Sequence, residues 1–568
     1  MRPRRAVKAC LAALLLALPA LAEPLPPRPP GGVADPTLAL NLTAPADFLP
    51  GFQFVDLMRL MRPWSAHGPG GRMSHAELRA GGFLDEAGWP RAIPPGHDWV
   101  GTLWEWNAMP ELAWRTKGRY VLSWEGAGRI DLAGDARVIE ARLGRILFEN
   151  TRGKSLLLRI RETDPAGTGD HLRAMTLVRE ADVARLAGGA VFDADWLALV
   201  ADARQLRFMD WAGTNGSAEV SWQDRARPDG PHDGRVPAEH MIALSNLVGA
   251  DPWFTMPHLA DEAYLRRFAE LVRDTLRPGL TARMEFSNEV WNWSFPQARW
   301  TAEAAEADWG TGGAAEHHAR RATRAALIWR EVFADEPDRL VTVLASQGAN
   351  SDLTRRLLEA PAWRRRDPAS HRPAGEVFDE LAITHYFGGA TLREPALRDA
   401  LLAELDVSAE AAAAYLEAAL TDPAYPRSVP ALAPVWAEHA RLARAHGLRL
   451  VAYEGGQHLH HHGRRKDLSE RDAAQLDAFM EKFVRSPAMT RLHLASWAAW
   501  AAVSDGPFMQ FGDVTRPGRW GSWGISEGPG TITARGAALM ALSAATPPWW
   551  DAPPHAGRYL DTIGAPGP

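Results

Sequence analysis

The spacing of apolar residues changes character along the chain. An apolar run at Leu38–Thr43 reads as a short strand whose end turns polar. Phe52–Trp64 then carries a periodic stretch (Phe54, Val55, Leu57, Met58, Leu60, Met61) that Pro63 stops. From His75 to Arg179 the pattern becomes short β-like runs separated by Gly and Asp turns: Trp99–Trp106, Arg119–Trp124, Ala136–Arg142, Arg145–Glu149, Ser155–Arg161 and Leu172–Val178. That even spacing predicts an all-β sandwich.

From Asp193 onward, strands and helices alternate, as in a parallel sheet. The predicted strands are Gln205–Asp210, Asp251–Met256, Ala282–Ser287, Arg339–Ser346, Glu380–His385, Leu448–Glu454 and Arg491–Trp497. Between them lie helices such as Trp196–Ala203, His240–Leu247 with Gly249 as its stop, Glu262–Leu276, Ala314–Phe333 and Glu470–Val484. With Leu38–Thr43 the strands number eight, enough to close an α/β (β/α)8 TIM barrel with an inserted or appended all-β sandwich lobe. An open doubly wound sheet is the competing architecture, but no strand runs into the glycine-rich phosphate loop that such sheets use for nucleotides.

The ends of the chain read differently from its body. Arg2, Arg4, Arg5 and Lys8 precede an apolar run, Ala9–Leu18, and the small-x-small site Ala20-Leu21-Ala22, so residues 1–22 are expected to be a cleaved export signal. The run is short for a membrane span. The flanks of Arg4-Arg5 fit the general export route better than the twin-arginine route. Residues 23–36 are a proline-rich linker, 37–74 the first barrel strand and its connection, 75–186 the β-rich lobe, 187–552 the barrel and 553–568 a tail. The one cysteine, Cys10, leaves with the signal, so the mature chain has no thiol for a disulfide, a nucleophile or a thiolate metal site. Loss of the four basic residues moves the net charge from −6 to −10, which disfavours nucleic acid as a partner. A periplasmic or secreted protein with no membrane association after cleavage is expected.

In a barrel of this kind the chemistry sits at the carboxyl ends of the strands. Those ends carry Arg207 and Asp210-Trp211, then His258, then Ser287-Asn288-Glu289 followed by Trp291, then His385-Tyr386, Glu454-Gly455-Gly456, and Ser496-Trp497. Two carboxylates, Glu289 and Glu454, are thereby expected to face each other across one mouth. A retaining glycosidase needs such a pair about 5–5.5 Å apart, one to protonate the leaving oxygen and one to attack the anomeric carbon. Tryptophan is abundant, 24 residues against 7 Tyr, and indole faces suit sugar rings.

With Asn288-Glu289 closing the fourth strand and Glu454 closing the seventh, the sequence resembles the clan A glycoside hydrolases. It is also similar to bacterial secreted proteins labelled cellulose-binding. The resemblance implies Glu289 as acid/base and Glu454 as nucleophile. It also gives Arg207, His258, Tyr386 and Trp497 the places of the clan's strand-end Arg, His, Tyr and Trp. Arg207 would hold Glu454 ionised, Tyr386 would donate to it, and Asn288 would bind a sugar hydroxyl. Trp497 would floor the sugar site, with Trp211, Trp291 and Trp293 as further platforms and His385 beside Tyr386. No metal or cofactor is required. The cluster His458, His460, His461 and His462 matches no defensible metal spacing and is expected to line the cleft or to be solvated. The function expected is an exported retaining glycoside hydrolase acting on a polysaccharide or oligosaccharide, a β-glycan above all. The alternative is a non-catalytic glycan-binding protein on the same fold.

Overall fold

Strands covered on both faces carry near-continuous apolar runs, and seven of the eight segments expected on that basis form strands. The computed structural model describes residues 32–107, 109–310, 313–460 and 467–551. The export signal and the tail lie outside the described residues. Strands β1 (Leu38–Asn41), β2 (Gln205–Arg207), β3 (Asp251–Met256), β4 (Ala282–Phe286), β5 (Leu340–Ala345), β6 (Glu380–Phe387), β7 (Arg449–Gln457) and β8 (Phe508–Phe511) form one sheet. Their order is β7-β6-β5-β4-β3-β2-β1-β8, and every ladder is parallel. This is a (β/α)8 barrel, closed except for a side-chain seam between β7 and β8.

His385 and two glycines make that seam. The His385 Nε2–H donates to the Met509 carbonyl at 2.8 Å. Its ring lies where a Cβ on Gly455 would sit, 2.1 Å from Nε2, so only glycine lets a β6 side chain reach β8 across β7. Gly456, at φ +113°, leaves room in the same way for the Gln510 amide.

The eighth strand is not Arg491–Trp497. Those residues belong to a helix, Pro487–Ala501. Ser486 caps it by accepting from the Met489 N–H, with Pro487 in the first turn. This Ser-Pro start signal outweighs the apolar run that follows it. Phe508–Phe511 takes the eighth position and pairs with β1 from Leu38↔Phe508 to Asn41↔Phe511.

The β-rich lobe is an insertion between β1 and β2. It holds two antiparallel sheets, one of five strands and one of four. Ser65–Gly68 and Gly71–Met73 belong to the five-stranded sheet, so the lobe begins about ten residues earlier than the turn pattern predicts. Gly128–Gly134 is a lobe strand that the sequence reading misses. Lobe and barrel share one hydrophobic core. Among the described residues no helix is long and apolar enough to cross a membrane.

Candidate active site

Alternation along β2 and β4 turns Arg207 and Glu285 into the barrel, where a charge survives only if it is paired. Arg207 is fully buried. Its Nη1 donates to Glu454 Oε1 at 3.0 Å and to Asn41 Oδ1 at 2.9 Å. Its Nη2 donates to Asn288 Oδ1 at 2.9 Å. Glu285 accepts from the same guanidinium through Nε at 3.1 Å and Nη2 at 2.9 Å. Residues from β1, β2, β4 and β7 thus meet on one cation.

Glu454 completes its shell with Tyr386 of β6, whose hydroxyl donates to Oε2 at 3.1 Å. Burial pushes the Glu454 carboxyl up to about 8. Arg207 and the Tyr386 hydroxyl pull the other way, while the fields of Glu289 and Asp210 add to the rise. The pull of Arg207 is in the direction that the sequence reading expects, toward the ionised form of Glu454, and it acts against the larger upward push of burial. Asp210, just beyond β2, is itself pushed up to about 6 by burial, with Asp513 adding and Arg207 opposing.

Glu289 is held separately. Tyr453 donates its hydroxyl to Oε1 at 2.8 Å, and Asn292 Nδ2 donates to Oε2 at 2.9 Å. The backbone turns sharply to present it: Ser287 sits at φ 66° and Glu289 at φ 41°. Non-glycine residues rarely occupy this left-handed region, and where they do at a binding site the surrounding structure holds the strain. Asn288 lies between them, and its Nδ2 donates to Asn215 Oδ1 at 3.0 Å. With its carbonyl on Arg207, Asn288 keeps one N–H for a ligand.

Tyr453 and Glu454 are consecutive, and in a regular strand they would face opposite sides. The β6–β7 register runs Ile383↔Ala452 and then Thr384↔Glu454, skipping Tyr453. That bulge turns both side chains toward the mouth. The Arg207 guanidinium packs on the Tyr453 ring, 4.9 Å from its centre.

Arg207, Asn288, Glu289, Tyr386 and Glu454 therefore come together, and three candidates do not. Trp211 is buried, donates Nε1–H to the Thr43 carbonyl at 3.0 Å and stacks on Trp196. Trp497 is buried in its helix against Phe508 and Trp549. His385 is buried in the seam, and burial lowers its imidazole to about 3, so it is neutral. None of the three offers a face to a sugar. His258 sits at the end of β3 with its ring edge on Trp300, and burial lowers it to about 4. Trp291 is half-buried against the core, and Trp293 beside it is exposed.

Sequence reasoning misses Tyr453, Glu285 and Trp523, and it sets Asn292 at the end of the fourth strand without giving it a role. Trp523 follows β8 and is partly exposed. It packs edge-on to Phe511, and His458 lies between it and Tyr386. His460 is buried between Ser522 and Asp477 and anchors the loop that carries Trp523. His461 and His462 lie outside the described residues.

The barrel and its mouth are those of a TIM-barrel protein with a carboxylate pair at strands four and seven. No protein-family model and no curated protein matches the chain. Its structural neighbours include glycoside hydrolases of families 51, 26, 10 and 5. The α-L-arabinofuranosidase of Thermotoga maritima is 13 % identical with a TM-score of 0.32, over 62 % of this chain and 63 % of that one. The modular endo-β-1,4-mannanase of Cellulomonas fimi is 12 % identical with a TM-score of 0.29, over 61 % and 63 %. The endo-1,4-β-D-xylanase 10B of Clostridium thermocellum, a carbohydrate-binding module joined to a family 10 module, is 8 % identical with a TM-score of 0.32, over 82 % and 93 %. The chain thus spans less than two thirds of the length of the first two. At this level the likeness concerns chain path, and the functional reading rests on the site itself.

Proposed function

We propose that the protein is an exported retaining glycoside hydrolase that cleaves a β-glycan by double displacement. The observation that carries this is the separate clamping of two carboxylates at one barrel mouth: Glu454 by Arg207 and Tyr386, Glu289 by Tyr453 and Asn292. Glu454, as nucleophile, attacks the anomeric carbon while Glu289 gives its proton to the leaving oxygen. Formation of the glycosyl ester removes the Glu454 charge, and Glu289 then takes a proton from the incoming water. Arg207 and the Tyr386 hydroxyl stabilise the carboxylate that departs in the second step. The remaining N–H of Asn288 faces the sugar 2-hydroxyl, and Trp523 with Trp293 supplies aromatic surface along the cleft.

The test is release of reducing ends from cellulose, xylan, mannan and arabinan, and of nitrophenol from aryl glycosides. Product anomers are read by proton NMR at early times, and a fluoro-sugar labels the nucleophile. Retention of configuration, label on Glu454 and loss of release in Glu454→Gln support the proposal. Inversion, or label elsewhere, sinks the double displacement. Binding to a glycan with no release by wild type means a binding protein on a glycosidase fold.

A further inference from the structure

We infer that Glu285 is a positioning residue: it grips the Arg207 guanidinium from the side opposite the mouth, and so fixes its aim and divides its charge between two carboxylates. Resting on the reading of Glu454 as nucleophile, the inference concerns how that residue is tuned.

The hydrogen-bond geometry carries the first half. An arginine has five N–H groups, and Arg207 spends all of them: Nε and one Nη2 hydrogen on Glu285, the other Nη2 hydrogen on Asn288, and the two of Nη1 on Asn41 and Glu454. Glu285 is held in turn. Its Oε2 takes the Trp253 indole N–H at 2.9 Å as well as both Arg207 donors. The rings of Trp253 and Tyr453 lie 5.7 and 4.9 Å from the guanidinium carbon. Rotation about the Arg207 side chain would break several of these contacts together. The aim of Nη1 at the nucleophile is therefore set by a residue that lies below the reacting atoms.

Charge carries the second half. Arg207 and Glu285 are buried and Glu454 nearly so, at 0 %, 1 % and 6 % exposure. One cation thus answers two acids out of water. The other groups that bear on Glu454 are the carboxylates of Glu289 and Asp210 and the hydroxyls of Tyr386 and Tyr453; among the described residues, Arg207 is the only cation contacting Glu454. Two of the five Arg207 donors serve Glu285, so Glu454 receives part of one charge where it otherwise would have the whole. Removing the Glu285 charge leaves Arg207 paired with Glu454 and the buried group neutral, so the usual penalty for orphaning a buried ion does not arise.

The experiment reads Glu454 through stability, without substrate. Thermal unfolding is followed from pH 4 to 10 for wild type, Glu454→Gln, Glu285→Gln and the double variant. A carboxyl raised in the fold contributes stability that is whole below its unfolded value, near 4.3, and lost as pH climbs to its folded value. Wild type should lose Tm relative to Glu454→Gln over this range, with the loss levelling off near 8. In the Glu285→Gln background the levelling should come at least about one pH unit lower. Glu285→Met, of similar volume and no charge, repeats the comparison if the glutamine variant does not fold. Levelling at the same pH in both backgrounds overturns the inference, because a merely structural Glu285 would lower Tm without moving it. A displaced levelling in a protein that cleaves no glycan upholds the inference about Glu285 and removes the hydrolase reading instead.

Discussion

Tyr453 and Glu454 are adjacent in the chain and both reach into the barrel mouth, one donating to Glu289 and the other accepting from Arg207. The bulge that skips Tyr453 in the β6–β7 register makes this possible. One strand thereby carries the proposed nucleophile and the group that orients the proposed acid.

Tyr453→Phe tests that relationship. It removes the 2.8 Å hydrogen bond to Glu289 and leaves the ring under Arg207. A hydrogen bond to a charged group contributes about 1.5–3 kcal/mol, so kcat is expected to fall ten- to a hundredfold or so, with Tm nearly unchanged. Steady-state kinetics on an aryl glycoside checks it, and unaltered kcat would show that Tyr453 does not orient the acid.

The pH profile follows from Glu454. Its carboxyl is pushed up to about 8, and only the ionised form attacks. Labelling by a fluoro-sugar whose activated leaving group needs no proton from Glu289 should therefore quicken through the neutral range, with its acidic limb centred near 8 rather than near 4. A limb centred near 4 would mean that Arg207 outweighs burial after all.

Gly455 is a packing requirement. A methyl group there would meet the His385 ring at 2.1 Å in the seam beside Glu454. Gly455→Ala should cost about 1–3 kcal/mol from overpacking and displace Glu454, so stability and activity fall together. Calorimetry and kinetics on the same preparation decide this. Gly447→Ala, on an open turn at φ +77°, is a surface control with backbone strain but no neighbour to displace.

Trp497 and Trp523 separate core from cleft. Trp497→Ala, in the core, should destabilise by about 3–5 kcal/mol without a specific rise in KM. Trp523→Ala, at the rim, should raise KM about tenfold, the loss of one stacked contact of roughly 1.4 kcal/mol, with a small change in Tm. The reverse pattern would return Trp497 to the sugar site.

Seven barrel strands are legible because fully buried parallel strands have no polar face, and helices with clear caps separate them. Strand ends then supply Arg207, Asn288, Glu289, Tyr386 and Glu454 without coordinates, because a barrel lines up its carboxyl termini. Arg491–Trp497 misleads because a short apolar run has the same signature in a buried helix, and its Ser-Pro cap is the one local cue against a strand. That error carries Trp497 into the cleft and leaves Trp523 unnoticed in its loop.

What sequence alone determines here is the alternation of strands with helices and the residue types at strand ends, since both follow from local periodicity. Tertiary structure decides which aromatic rings face inward, the bulge at Tyr453, the left-handed turns at Ser287 and Glu289, and the sharing of Arg207 between Glu285 and Glu454. Each depends on contacts between residues tens to hundreds of positions apart, and on a desolvation cost that exists only once the barrel has closed around them.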